Sequence, residues 1–430
     1  MIDNKVVILG GGFGGLNVAQ ALKGSLLDVT LIDKKNHHLF QPLLYQVASA
    51  ALSPADIATP LREIFSRQSN ISVVMATAEN IDTQKCEVLL ANGDAIAYDY
   101  LIIATGARHS YFGNDQWEPL APGLKTVKDA LTIREKVLIS FEKAERMDSI
   151  KEAEKFLNFI IIGAGPTGVE MAGAIAEIAH HTLFKNFRRI KPEKSKIYLV
   201  EGASRVLPGF NPKLSAAAKR GLEKMGVIVT TDTLVTNITE EGAQVGGDFI
   251  EARNIIWAAG NQASFLLKTL DIPLDRQGRA IVNDDLSIPN HENVFVIGDA
   301  AHVKGKDGIP LPAIAPAAIQ QARYVSKLIK KRIPAKKRRR FKYFDKGSIA
   351  TIGKNRAVGS IGNFRFSGFF AWLIWGFIHI FYLVSFRSRF TVMLNWVFHY
   401  TTGLRGARLI HKSIDEKVIV KKRPPKKPSS

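Results

Sequence analysis

Apolar residues in this chain gather into short uninterrupted runs separated by longer amphipathic stretches. Residues 6–9, 101–103, 159–162, 197–200, 255–257 and 294–297 are such runs, and each reaches a glycine or a carboxylate within three residues. Runs of this length with no polar interruption predict strands buried on both faces of a parallel sheet, and the stretches between them predict crossover helices. Residues 16–27 are predicted as the first helix, and residues 127–153 as a polar helical linker rich in Lys, Glu and Ala.

Two of these strands open the same motif. Residues 5–9 lead into Gly10-x-Gly12-x-x-Gly15, and residues 159–162 lead into Gly163-x-Gly165-x-x-Gly168. Such glycines permit a tight strand-to-helix turn, let the backbone approach a diphosphate, and bring the helix N-terminus towards its charge. After each turn a second strand ends in a carboxylate placed for ribose hydroxyls, Asp33 in the first copy and Glu201 in the second. Glu201 lies further from its glycines than is usual, and residues 180–195 read as an insertion that accounts for the delay. The closing strands repeat as well: Ala104-Thr105-Gly106 is matched by Ala258-Ala259-Gly260, and a further strand ends in Gly298-Asp299. The fold class is α/β, with two Rossmann-type dinucleotide-binding domains and a C-terminal membrane-associating helical region. Expected boundaries are residues 1–120 with 268–333 for the first domain, 121–267 for the second, and 334–430 for the C-terminal region.

Charge separates that last region from the rest. The chain carries 59 Lys+Arg against 39 Asp+Glu, and residues 323–430 alone hold 26 basic and 3 acidic residues. Residues 368–386 contain no charged side chain over 19 positions, close to the ~20 needed to span a bilayer. Arg365, Arg387 and Arg389 flank this stretch, and a second aromatic run at 390–400 leads to Arg405 and Arg408. Two aromatic helices edged by arginine predict elements lying in the headgroup plane, with one spanning helix as the alternative. The basic run at 330–342 then faces anionic lipid, and residues 421–430 read as disordered. No nucleic-acid partner is expected, because the basic residues are not spread over the nucleotide domains. Cys86 is the single cysteine, which excludes an intramolecular disulfide, a CxxC redox pair and a cysteine-rich metal site. Adjacent His37 and His38 do not share a helix face, so they read as loop residues near the nucleotide, and no metal is expected. The N-terminus enters the first strand at once, so no signal peptide is expected and the folded body is expected in the cytoplasm.

The order of glycine turn, ATG strand, second glycine turn, WAAG and GDAA resembles the flavoproteins with two dinucleotide-binding domains, over residues 5–332. The resemblance implies FAD on the first unit, at Gly10, Gly12, Phe13, Gly14, Gly15, Asp33, Thr105, Gly106, Gly298, Asp299, Ala317 and Ala318. It implies NADH on the second, at Gly163, Gly165, Thr167, Gly168, Glu170, Glu201 and Gly260. Asp299 is then the ribityl ligand. Relatives that need a redox cysteine pair are excluded by the cysteine count. Residues 311–321, LPAIAPAAIQQ, resemble the A-Q-x-A-x-Q helix start of type II NADH:quinone oxidoreductases at Ala315, Ala318 and Gln320, with Pro316 in place of the first glutamine. That family implies hydride transfer from NADH to FAD and then two electrons to a membrane quinone, without proton pumping. It also implies monotopic attachment to the cytoplasmic face of the inner membrane, with Glu170 and Gln320 as catalytic residues and a homodimer as a candidate assembly. Two readings compete with it: a soluble ferredoxin or rubredoxin reductase, and a redox-signalling flavoprotein similar to apoptosis-inducing factor.

Overall fold

The structure is a computed structural model that describes residues 4–184, 186–305 and 308–410. The tail expected to be disordered, 421–430, lies outside the described residues. Six helices frame the site: α1 (Phe13–Leu22), α2 (Val127–Arg146), α3 (Pro166–Glu177), α4 (Ala315–Lys330), α5 (Phe369–Tyr382) and α6 (Phe386–Thr402).

The first sheet has six strands in the order Ser287–Ile288, His291–Val296, Tyr100–Ile103, Lys5–Leu9, Asp28–Asp33 and Ile71–Met75. All pairings are parallel except the first, and Val6, Val7, Ile8 and Leu9 are buried, as both-faced coverage requires. The second sheet is wholly parallel, in the order Val227–Thr230, Lys196–Val200, Asn158–Ile162, Asn254–Trp257. In both sheets the glycine-turn strand is central, so its C-terminal end lies where open α/β sheets bind ligands. The halves are joined by two antiparallel strands running side by side, Ala107–His109 and Asn261–Ala263.

The predicted polar linker at 127–153 is instead a packed element. Helix α2 buries Ala130, Ile133, Val137, Phe141 and Ala144 on one face, and Ile150–Leu157 follows as a further helix. Thr126 and Asp129 form a capping box, with the Thr126 hydroxyl accepting from the Asp129 N–H and the Asp129 carboxylate accepting from the Thr126 N–H.

The C-terminal region departs further from its helical expectation. It opens with a three-stranded antiparallel sheet, Ser348–Gly353, Arg356–Ile361 and Phe364–Gly368, which lies against α3. The approach is close because Gly173 has no side chain: a Cβ there would overlap the Ile352 carbonyl oxygen. The charge-free stretch then breaks at 383–385, and Ser385 caps α6 by accepting from the Ser388 N–H. Fourteen residues of α5 rise only about 21 Å, well short of the hydrocarbon core. Among the described residues no helix is long and apolar enough to cross a membrane.

Both helices are apolar on two sides. Ala371, Trp375 and His379 of α5 and Ser388, Val392 and Trp396 of α6 face inward, where the apolar members join the same core as Phe141, Phe159 and Met171. Phe370, Phe377 and Phe386 point outward and are 76%, 72% and 81% exposed. Polar clamps fix the inner face: Trp396 Nε1 donates to Gln46 Oε1 at 2.7 Å, Asn395 Nδ2 to Asp56 Oδ2 at 3.1 Å, and Arg405 Nη1 to the Ser49 carbonyl at 2.6 Å. Arg405 Nη2 also reaches Glu177 Oε2 at 2.8 Å, with the guanidinium side chain 2% exposed.

Breaking that pair should leave Glu177 as an uncompensated inner charge. Arg405→Met is expected to lower unfolding free energy by about 3 kcal/mol, read as a lower urea midpoint, and Arg405→Met with Glu177→Gln should recover part of the loss. Equal midpoints for Arg405→Met and wild type would show that the pair does not hold the C-terminal region in place.

Candidate functional site

The two glycine turns are built alike. Gly10 donates to the Ile32 carbonyl at 2.8 Å and Gly163 to the Val200 carbonyl at 2.7 Å, and both glycines have positive φ. The next N–H in each copy goes to the carboxylate: Gly11 to Asp33 Oδ2 at 2.6 Å, and Ala164 to Glu201 Oε2 at 2.6 Å. A second oxygen is also held, Asp33 Oδ1 by the Lys35 N–H and Glu201 Oε1 by the Ala203 N–H. At Gly15 and Gly168 a Cβ would overlap the carbonyl oxygen of the first glycine, so strand and helix meet without side chains. At Gly12 and Gly165 a Cβ would meet nothing within 4 Å, which leaves an open cradle in front of each helix N-terminus. The residues between α3 and Glu201 form a π-helical turn, Ile178–Thr182, and a short 3₁₀ turn, Pro192–Lys194.

The first cradle fits a dinucleotide in its chemistry too. Thr105 Oγ1, His37 Nε2 and His38 Nε2 are buried with no hydrogen-bond partner. His38 Nδ1 faces the Gly11 carbonyl at 2.9 Å, and its ring meets Phe13 edge-on at 5.2 Å. Gly14 packs near Ala104 and Ile297, and Gly106 turns with positive φ into the connecting strand. Gly298 and Asp299 lie in a short turn beside the first turn of α4, where Ala317 and Ala318 are buried and a Cβ on Gly298 would touch Ala318. Burial raises the Asp299 carboxyl, opposed by the charges of Lys125 and Arg279. In the second cradle Thr167 belongs to the first turn of α3, and Gly260 lies under Phe112 and the Ser110 carbonyl.

Glu170 is one turn into α3 and lines a cavity of about 20 Å³, room for roughly one water. The cavity joins three parts of the chain: Tyr45, Gln46 and Ser49 from the first half, Glu170 and Glu177 from α3, and Thr351, Tyr400 and Arg405 from the C-terminal region. Burial pushes the Glu170 carboxyl up to about 8, with a backbone hydrogen bond from Thr351 opposing it. Burial likewise raises the Tyr45 and Tyr400 phenols above their ordinary value.

Gln320 of α4 meets the segment that leads to the C-terminal sheet. Its Nε2 donates to the Phe344 carbonyl and its Oε1 accepts the Phe344 N–H, both at 2.9 Å. Each amide end thus makes one bond to Phe344, because the chain doubles back past α4 on its way to the C-terminal sheet. The glutamine that reaches the site is the next one: Gln321, 2% exposed, accepts the Gly298 N–H at 2.6 Å. Its helical spacing from Ala317 and Ala318 is the signal that identifies it. His379 of α5 was also not apparent from sequence. Its Nδ1 faces the Trp375 carbonyl at 2.7 Å, its ring lies 6.2 Å from Phe40, and burial lowers its pKa to about 4.

A family model described as pyridine nucleotide-disulphide oxidoreductase matches residues 4–322, and one described as NDH2 C-terminal domain matches residues 346–404. The type II NADH:quinone oxidoreductase Ndh of Mycobacterium tuberculosis is 44% identical over 94% of this chain and 89% of its own length. The type II NADH:quinone oxidoreductase of Haemophilus influenzae is 30% identical over 83% of this chain and 87% of its own. Among solved structures, NDH2 from Plasmodium falciparum in complex with NADH superposes with a TM-score of 0.86 at 23% identity, covering 94% of this chain and 99% of that one.

The Glu170 environment predicts a pH effect on stability. The folded protein keeps its proton up to about 8, while the unfolded carboxyl loses it near its ordinary 4.5. Folding is therefore penalised progressively as pH rises between those values. Glu170→Gln removes the penalty, so its denaturation midpoint should fall less than that of the wild type between about pH 5 and about pH 8. Parallel curves would show that the carboxyl titrates as it does in water.

Proposed function

We infer the working of the site from one premise: the chain belongs to the type II NADH:quinone oxidoreductases, within the pyridine nucleotide-disulphide oxidoreductase family. It is an FAD-dependent enzyme that oxidises NADH and reduces a quinone. FAD, when bound, accepts hydride from NADH and supplies two electrons to the quinone. Gly10, Gly12, Phe13, Gly14 and Gly15 offer their backbone to its diphosphate, with Thr105 and Gly106 on the adjoining strand. Asp33 receives the adenosine ribose, Asp299 the ribityl chain, and Gly298, Ala317 and Ala318 line the flavin end. Gly163, Gly165, Thr167, Gly168, Glu201 and Gly260 do the same work for NADH. These roles follow residues 1–120 with 268–333 for the FAD domain, 121–267 for the NADH domain and 334–430 for the C-terminal region.

The observation that carries the reading is the position of the Glu170 carboxyl. It stands on the NADH-side glycine helix in a cavity closed by residues of the first half and of the C-terminal region. Raised by burial to about 8, the carboxyl can hold the one proton that a quinone needs beyond the hydride of NADH, and after giving it up can be reprotonated from the cavity water. Gln320 serves by tying Phe344 to α4, which sets where the C-terminal region begins.

The outward aromatic residues of α5 and α6, with Arg365, Arg387 and Arg389 beside them, support attachment to one lipid surface, and our reading takes that surface to be the cytoplasmic face. Aromatic side chains bury in the interface while basic ones meet anionic headgroups.

The full-length protein purified in detergent should bleach its flavin absorption with NADH and recover it on adding a short-chain quinone. Glu170→Gln should keep its flavin and lose quinone turnover by roughly 100-fold, the scale of a positioned proton donor. Unchanged turnover with unchanged quinone affinity would remove Glu170 from the mechanism.

Attachment is checked separately. The intact protein should float with anionic vesicles and be released in part by high salt, since salt screens the basic residues but not the aromatic burial. Equal binding to neutral and anionic vesicles would mean the basic residues do not contribute.

A further inference from the structure

The second cradle has a neighbour that the first lacks. At Gly106 a Cβ would meet nothing within 4 Å, whereas at Gly260, the matching position of the second copy, it would stand 2.6 Å from the Phe112 ring and 2.8 Å from the Ser110 carbonyl oxygen. Both glycines have nearly the same φ, 68° and 70°, so the difference lies in what covers them. Phe112 belongs to the segment that follows the connecting strand Ala107–His109, and its ring reaches Gly260 from the first half of the chain.

Neighbouring residues hold the ring in that place. Trp257 Nε1 donates to the Ser110 carbonyl at 3.0 Å, and the Phe112 ring lies 6.2 Å from that of Trp257. Tyr111 stands against the other part of the same indole at 4.9 Å, its hydroxyl donating to the Ala121 carbonyl at 2.8 Å. Between these anchors the Phe112 backbone takes a φ of 53°, a conformation that costs a residue with a Cβ and persists only where the surroundings enforce it. The outcome is a phenyl ring with one edge on Gly260 while the residue stays 69% exposed. Backbone strain and an apolar ring in water are both unfavourable, and both are offset when a ligand covers the ring.

Sheet order identifies that ligand. Lys196–Val200, Asn158–Ile162 and Asn254–Trp257 lie side by side and parallel, so Glu201, the Gly163 turn and Gly260 follow one another along a single edge. The last two touch, since a Cβ on Gly163 would stand 2.8 Å from the Ala259 nitrogen. If Glu201 receives the adenosine ribose and the Gly163 turn the diphosphate, the remaining half of the dinucleotide continues towards Gly260 and meets the ring.

We propose that Phe112 is a binding residue for the nicotinamide end of NADH, its ring forming an apolar wall against the nicotinamide. The proposal rests on the assignment of the second cradle to NADH. It also makes the first half of the chain complete the nucleotide site of the second.

The test compares NADH with ADP-ribose, which carries the adenosine, the diphosphate and the second ribose but no nicotinamide, on the full-length holoprotein. Phe112→Asn removes the ring and suits the left-handed backbone. It should lower kcat/KM for NADH about 3–10-fold, the range for one aromatic contact, while the inhibition constant of ADP-ribose stays within about twofold of wild type. Phe112→Tyr, which keeps the ring, should restore kcat/KM. If Phe112→Asn does not retain its flavin, Phe112→Gly carries the same expectation. An unchanged kcat/KM in a folded variant without the ring would overturn the proposal. Equal weakening of NADH and ADP-ribose would overturn it as well, since that is the mark of a disturbed cradle and not of a lost nicotinamide contact. ADP-ribose that fails to compete with NADH in the wild type would overturn the assignment of the cradle, a different failure.

Discussion

At Gly10 and again at Gly163 the chain must turn from strand into helix while leaving backbone N–H groups open to a phosphate, in a space where no side chain fits. The carboxylate of Asp33 or Glu201 locks that turn by accepting the next N–H. One interaction therefore sets two things together: the shape of the cradle and the place of the carboxylate proposed to meet the ribose. The close approach of α1 and α3 to their strands belongs to the same turn, since Gly15 and Gly168 meet the carbonyls of Gly10 and Gly163.

Legibility from sequence tracks how local each feature is. The glycine turns, their carboxylates and the closing strands were readable because each is a contiguous pattern whose physics is complete within a few residues. The failures are long-range. Residues 127–153 looked polar by composition, yet a stripe at Ala130, Ile133, Val137 and Phe141 is enough to pack α2 against a sheet. The C-terminal strands were missed because their inner faces are set by contact with α3, at Gly173 and Ile352, and not by alternation of their own. Gln320 and Gln321 are neighbours with opposite fates, which only the phase of α4 distinguishes: one faces Phe344 and the other the Gly298 turn. His379 and Phe112 sit in segments with no motif, and the rings they meet belong to Phe40 and Trp257, far away along the chain.

The cavity beside Glu170 shows how three parts of the chain make one environment. A carboxyl near the start of a helix would ordinarily be ionised and favoured by the helix dipole. Here the C-terminal region closes over it, and desolvation outweighs the hydrogen bond from the Thr351 backbone, which raises the carboxyl to about 8. The same burial raises the Tyr45 and Tyr400 phenols further above neutrality. The chemistry proposed for the site thus depends on residues that contribute no ligand to either nucleotide.

Helices α5 and α6 have no side that is merely decorative. Their inner residues complete the core of the second half, and their outer residues form the surface proposed to meet lipid. Shortening the chain to shed the greasy surface would strip the core with it and open the cavity at Glu170. A water-soluble form would have to be reached by repainting Phe370, Phe377, Phe381, Phe386 and Phe390 with polar side chains on an unchanged backbone. The same coupling works in reverse, since any pull exerted by a bilayer on the outer residues is carried by the helices whose inner residues grip Gln46 and Asp56.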